Sequence, residues 1–358
     1  MLFEAEVREK QDQAFFQRRS NVESFLRNND LSHDRVKEQI RHLVGKFVEP
    51  YYVSTVPRGL AGSTSDVDLI ILDEEEPDQP GLSNMLFVSG RRFGVVRFSY
   101  EDVNQALRRL EEFNLSGLAN ALNSSKTVQS SLSPRWEHLE RIVNGVRLDR
   151  DENEFIVHLS TISKSATLFA LAALHRFAFL LRMAEASGKK SLMTIYGWSA
   201  VMHFFDAVMS AAGEVQSNSK WVLERWQRFR NEDYSDALSA EVRTGESLYQ
   251  KYISGTLLYS ELMDAVNELS AELTSGTTVC TNPVFPENIK FSDMLKGATL
   301  LTKEDEGQNN CLISSHVVGA VQNSSFDKLS SNLAASVIDL IETGFCQLTL
   351  YEGARNGS

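Results

Sequence analysis

The chain has 358 residues, 42% of them hydrophobic and 23% charged, with a formal net charge of −12. That length exceeds what one hydrophobic core usually fills, so two or three domains are expected. The charge sets the surface as a whole against nucleic acid and anionic lipid, and no long Lys/Arg run is present to offset it.

The first residues, MLFEAEVREKQDQAFFQRR, lack the apolar stretch of a secretory signal. Residues 3 to 48 read as two helices. Phe15, Phe16, Val22, Phe25 and Leu26 recur at roughly helical spacing, Asn28 to Ser32 breaks the run, and Ser32 is placed to cap the second helix. Tyr51 to Val53 and Val67 to Leu72 are short, apolar and suited to buried strands. The acidic, Pro-containing stretch Asp73 to Gly81 reads as a loop. A strand pair follows at Met85 to Val88 and Arg92 to Phe98, turned at Ser89-Gly90, and Glu101 to Phe113 carries Val103, Leu107 and Leu110 on one helical side.

From Pro134 to Leu273 nearly every segment has a helical period, with strong cases at Phe155 to Ala186, Ser191 to Ala212, Ser219 to Phe229 and Gly245 to Leu273. The most apolar stretch, Leu168 to Met183, is interrupted by His175, Arg176 and Arg182 and falls short of the ~20 residues a bilayer requires. A buried helix and a cytoplasmic protein without a membrane partner are expected. His158, His175 and His203 are expected in helix cores or interfaces, and the run Asp149 to Glu154 to mark a helix start. Ser275 to Pro286 reads as a linker. Beyond it, two short helices within Ser324 to Gly344 and a strand at Phe345 to Leu350 form a winged-helix-like pattern. Cys280, Cys311 and Cys346 show no CxxC pair and are expected to be free thiols. The fold class is α+β. Residues 1–125 hold a small mixed sheet with N-terminal helices, residues 126–275 a helical bundle, and residues 285–352 a small winged-helix-like unit.

The segment that carries chemistry is YVSTVPRGLAGSTSDVDLIIL, residues 52–72. Ser65-Asp66-Val67-Asp68-Leu69 places two carboxylates at alternate positions, so a strand sends Asp66 and Asp68 to one face. Adjacent carboxylates repel unless a cation lies between them. Magnesium accepts one or two carboxylates together with phosphate oxygens. Upstream, the hydroxyls of Ser54-Thr55 and the turn through Arg58-Gly59 are suited to gripping phosphate, while Ser65 can hydrogen-bond the turn that aims the acids.

This passage resembles the signature of the nucleotidyltransferase superfamily, the polymerase-β-like fold. There a strand ends in Gly-Ser and a second strand carries Asp-x-Asp. Gly62-Ser63 lies too close to Asp66 to be that Gly-Ser. Setting Ser54-Thr55 there brings Arg58-Gly59 and Ser65 to Leu69 into register without a gap. The resemblance implies that Asp66 and Asp68 are catalytic and hold Mg²⁺. It also implies that Ser54, Thr55, Arg58 and Ser65 form the nucleotide-binding turn. Ser219-Lys220-Trp221-Val222-Leu223 resembles the Lys-Trp-Leu element of aminoglycoside-type members, which assigns Lys220 to the triphosphate.

Two departures stand out. Ser54 adds a Cβ where the family has glycine. The strand Arg92 to Phe98, where active members usually carry a third carboxylate, has no acid and carries Arg97; Glu101 and Asp102 are the nearest candidates. Two readings follow. One is an Mg-dependent enzyme moving a nucleoside monophosphate, AMP from ATP by preference, to a hydroxyl of a small-molecule or peptide acceptor. The other is a catalytically impaired relative that binds nucleotide or a protein partner. The −12 charge argues against polymerisation on nucleic acid.

Overall fold

The structure, a computed structural model, describes residues 5–231, 238–274, 279–294, 297–303, 310–324, 326 and 330–352, with the side chains of 5–14 and 352 left aside. The chain divides into two compact units. The first comprises residues 1–116, 126–166 and 209–221, and the second residues 117–125, 167–208 and 222–358.

The first unit is built on a four-stranded sheet in the order β1-β2-β4-β3: β1 Tyr51–Val53, β2 Val67–Asp73, β3 Ser83–Val88 and β4 Arg91–Ser99. β2 runs antiparallel to β1 and parallel to β4, and β3 returns antiparallel along the outer edge of β4. Helices α1 (Ala5–Asn28) and α2 (His33–Val44) cover one face. Phe15, Val22, Phe25, Val36 and Ile40 pack there against Val67, Leu69, Ile71, Phe93 and Val95. Ser32 caps α2, its hydroxyl accepting from the Arg35 N–H at 3.3 Å, as its position predicts. Helices α3 (Tyr100–Leu115) and α5 (Trp136–Val143) supply the second layer, with α4 (Leu118–Ser131) between them in the chain. His138 on α5 lies 5.0 Å, ring to ring, from Phe98 on β4. With both faces covered, β2 is buried along nearly its whole length, which explains its unbroken apolar run.

The second unit contains most of the long apolar helices: α6 (Leu159–Ser187) and α7 (Lys190–Ala211), which each begin or end in the first unit, then α8 (Val222–Phe229), α9 (Ser239–Ile253) and α10 (Tyr259–Leu273). Trp226 stacks on Phe205 at 4.0 Å, and a Cβ at Gly245 would fall 2.9 Å from Trp226, so glycine there lets α9 approach the ring. Ile156–Ser187 is long and apolar enough to cross a membrane by composition, contrary to the sequence estimate, and 72% of its apolar window is buried inside the protein. His175 is buried and bonds Ser270 Oγ at 2.9 Å, and His203 stacks on Phe177. His158, in the first unit, departs from expectation: it is half-exposed and pairs with Glu111 at 3.4 Å.

The end of the chain differs most from its sequence reading. The stretch read as a linker contains β5 (Val279–Val284), paired antiparallel with β9 (Gln347–Glu352); residues 275–278 lie outside the described residues. Pro283 is tolerated because β5 has a neighbour on one side only. A three-stranded antiparallel meander follows, β6 (Ile289–Met294), β7 (Ala298–Lys303) and β8 (Asn310–Ser314). Between Ser324 and Gly344 the described residues form one helix, α12 (Ser331–Glu342), not two, and α11 (Ser315–Gln322) precedes that stretch. The helix read from Gly245 to Leu273 is two helices, α9 and α10, parted at Gly255, whose φ is +70°. All three cysteines are free.

Candidate active site

β1 ends at Val53, and Ser54 follows with φ +66°, the left-handed conformation that glycine adopts at no steric cost. Ser54, which stands where the signature that this turn resembles has glycine, therefore takes a glycine-like backbone. The turn closes through Gly59 N–H to Val56 O at 3.1 Å and Leu60 N–H to Thr55 O at 3.0 Å. A second, reciprocal turn joins Ser65 and Gly62. The Gly62 N–H donates to Ser65 Oγ at 2.9 Å, and the Ser65 N–H donates to Gly62 O at 3.1 Å. Arg91 clamps this turn from β4, donating to Ser65 O at 3.0 Å and Ser63 O at 2.6 Å. Ser54, Thr55 and Ser65 are half-buried beside it.

Asp66 immediately precedes β2 and Asp68 is its second residue. Register places Asp68 opposite Gly94 on β4, and Asp66 pairs with Arg92, two positions before that glycine. Both carboxylates therefore lean over alternate β4 residues on one sheet face, as period two demands. Asp68 Oδ1 lies 3.4 Å from where a Gly94 Cβ would stand, so glycine leaves the space over β4 clear. The Asp66 side chain is 41% exposed and Arg92 51% exposed, so their ion pair is solvent-facing.

Arg58 has another occupation than the one its motif position implies. Its side chain is 7% exposed, and its guanidinium donates to Glu140 Oε1 at 2.7 Å, to Glu214 Oε1 at 2.8 Å and to Val215 O. Burial alone would lower its pKa, but Glu214 and then Glu140 outweigh that and raise it. A buried, doubly paired guanidinium is not offered to a ligand; it holds the turn after β1 against the segment 214–217. Glu140 also accepts from Ser217 N–H and Oγ, at 3.3 and 3.1 Å. Lys220 follows shortly on the exposed turn Ser219–Trp221, its Nζ 5.1 Å from the Trp221 ring centre, with no acidic partner among the described residues.

The positive charge on β4 that faces the carboxylates is Arg92, which sequence reasoning missed. Arg97 alternates to the opposite face, beside Ile71, and pairs with the buried Asp73 at 2.8 Å, where Lys46 also arrives at 3.0 Å. The signal was available: Arg92, Gly94 and Val96 share one parity, and a parallel β2–β4 pairing aligns that parity with Asp66 and Asp68. Glu101 and Asp102 sit past the far end of β4, where Ser99 aligns with Asp73. Asp68 and Asp73 are five strand residues apart, roughly 16 Å, so neither acid stands in for the missing third carboxylate. Asp102 instead bonds the cap residue Ser99, and Glu101 pairs with Arg108. Among the described residues no group of three or more His, Cys, Asp or Glu side chains gathers as a metal site.

The run Asp149 to Glu154 precedes the helical turn Ile156–His158 that leads into α6, as expected of a helix start. Asn153 is buried and accepts from the Phe155 N–H, while Glu154 receives Tyr51, Tyr100 and Arg150. Burial pushes the Glu154 pKa up, but those hydrogen bonds outweigh it and hold the carboxyl below its usual range.

The model of a family of unknown function, DUF6001, matches residues 11–345. No curated protein matches the chain. A solved structure of a nucleotidyltransferase-like protein from Exiguobacterium sibiricum 255-15 is similar at 12% identity, over 68% of this chain and 78% of that one, with a TM-score of 0.32. A likeness at that score defines neither a shared fold nor a shared chemistry.

Proposed function

The chain belongs to DUF6001, a family of unknown function, and we propose that its first sheet is a nucleotidyltransferase-type site that binds a nucleoside triphosphate with Mg²⁺. The observation that carries this reading is the common face of Asp66 and Asp68, set at the start of β2 beside a tightly closed turn and over a bare Gly94. Two carboxylates of this kind suit a hard divalent cation whose remaining ligands come from phosphate and water. Arg92, the ion-pair partner of Asp66, brings a positive charge to the same face.

When bound, Mg²⁺ supplies charge neutralisation at the phosphate oxygens. Asp66 and Asp68 hold it. The turn 54–65, locked by Ser65 and Arg91, aims Thr55 and its neighbouring amides at the phosphates, and Lys220 provides a mobile charge from the segment that Arg58 and Glu140 pin. In the enzymatic form of the proposal, AMP passes from ATP to a hydroxyl of a small molecule or peptide. The acceptor hydroxyl would give its proton to solvent, its oxygen would bond the α-phosphorus, and the bond from that phosphorus to the bridging oxygen would break to release pyrophosphate.

A second reading is favoured by one specific feature. The β4 face beside Asp68 offers Arg92, Gly94 and Val96 and no acid, so nothing on that strand can take the acceptor's proton. Lack of a general base costs roughly 10²–10⁴-fold in rate, and in this form the protein binds nucleotide without turning it over. Incubation with each labelled nucleoside triphosphate, Mg²⁺ and hydroxyl acceptors separates the two. Pyrophosphate release abolished by Asp68→Ala supports the enzyme. Magnesium-dependent binding without release supports the binding protein, and absence of both removes the proposal.

A further inference from the structure

A cavity of about 350 Å³ lies between α1 and the turn 56–63. That is the lower end of the range, roughly 300–1,000 Å³, that small-molecule sites occupy. Asn21, Ser24 and Asn28 line it from one face of α1, Asn29 lines it just past the helix end, and Phe25 and Val56 give it apolar wall. None of its lining residues is charged. Arg91 stands beside it, but its guanidinium already serves Asn29 Oδ1 at 2.6 Å and the carbonyls of Ser63 and Ser65, with its centre 5.5 Å from the Phe25 ring.

The walls are held in place. Asn21 Nδ2 donates to Pro57 O at 2.8 Å, and Gly59, at φ +64°, lets the turn approach until a Cβ would lie 3.1 Å from that same amide. Asn29 is fixed by Phe25 O at 2.7 Å and by Arg91. The side chains of Ser24 and Asn28 have no hydrogen-bond partner among the described residues, and both open onto the cavity. A fixed shell with two uncommitted polar groups is therefore presented to whatever enters.

The lining selects by chemistry. An ionised ligand would find no counter-charge, and a purely apolar one would strip water from Ser24 and Asn28 without replacing its hydrogen bonds. Carboxamides and a hydroxyl both donate and accept, which matches a row of hydroxyls on a ring. The C–H face of such a ring has Phe25 and Val56 to pack on. We propose that this cavity binds the ring of an uncharged sugar, either free or as the ribose of a nucleoside. Neither Asp66 nor Asp68 lines it, and the inference does not depend on the nucleotidyl-transfer reading.

The test is saturation-transfer NMR and calorimetry on the full chain with methyl glucoside, maltose, adenosine and adenine. Binding of the glucosides identifies a free carbohydrate as the ligand, and binding of adenosine without adenine identifies a nucleoside; either supports the site. Ser24→Ala with Asn28→Ala should then weaken binding about tenfold or more, while Asp68→Ala leaves it unchanged. The proposal is overturned by no transfer from either glucoside or adenosine. Adenine bound as well as adenosine, equal affinity in the double variant, or loss of binding in Asp68→Ala would each overturn it too.

Discussion

Replacing Arg92 with alanine should move two affinities in opposite directions. In the free protein the guanidinium neutralises Asp66, and because Asp66 and Arg92 are 41% and 51% exposed, the pair itself contributes only about 0.2–1 kcal/mol of stability. Its effect on a divalent cation is larger. A cation held by Asp66 and Asp68 would lie roughly 6 Å from that guanidinium, where a +1 and a +2 charge repel by about 1.4 kcal/mol even at the dielectric of water. Arg92→Ala should therefore raise the affinity of the free protein for Mn²⁺ about tenfold, read by electron paramagnetic resonance of the unbound ion. A guanidinium released from Asp66 has a triphosphate within its surroundings, and a charge-assisted hydrogen bond contributes about 1.5–3 kcal/mol. Calorimetry with ATP and Mg²⁺ should accordingly show weaker binding by about tenfold or more in the same variant, with Arg92→Lys close to wild type in both assays. Mn²⁺ affinity that is unchanged or lower in Arg92→Ala would mean that Arg92 does not oppose a cation at Asp66 and Asp68.

Other consequences follow from single contacts. Ser54→Gly relieves a left-handed backbone and should stabilise the protein by about 0.5–1 kcal/mol after allowing for glycine's greater freedom when unfolded; a lower denaturation midpoint would mean the Ser54 side chain contributes more than the strain it causes. Arg58→Ala leaves Glu140 buried without its cation and should cost about 3–5 kcal/mol in urea unfolding, where a loss under 1 kcal/mol would return Arg58 to the list of free ligand groups. Burial lowers the His175 pKa from 6.5 to about 4, so the unfolded chain takes up a proton that the native protein refuses. That contribution is intact above pH 6.5 and is lost as pH falls towards 4, by as much as roughly 3 kcal/mol. His175→Gln should flatten the stability curve across that window, and an unchanged slope would assign the pH dependence elsewhere.

How far the sequence could be read depended on how local the deciding forces were. β2 was legible because a strand covered on both faces needs a continuous apolar run, and α2 because Ser32 bonds a backbone N–H in its own first turn. The hairpin at Ser89-Gly90 declared itself through residues that both adopt positive φ. The meander of β6 to β8 did not, since β6 buries Ile289 alone among its six residues and so shows no alternation. Arg58 was misread for a different reason. Its motif position is local, but its partners Glu140 and Glu214 come from 82 and 156 residues away. Arg92 was overlooked because its partnership with Asp66 is set by the pairing of β2 with β4, which no single segment encodes.

The central claim, that Asp66 and Asp68 jointly hold a metal–nucleotide complex, is tested most directly by calorimetry of ATP binding to the full chain. Measurements with and without Mg²⁺, on wild type and on Asp68→Ala, are sufficient. Binding should require Mg²⁺, and Asp68→Ala should weaken it at least about tenfold, the effect expected from losing one charge-assisted ligand. Binding of equal strength in the variant, or binding indifferent to Mg²⁺, would contradict the claim.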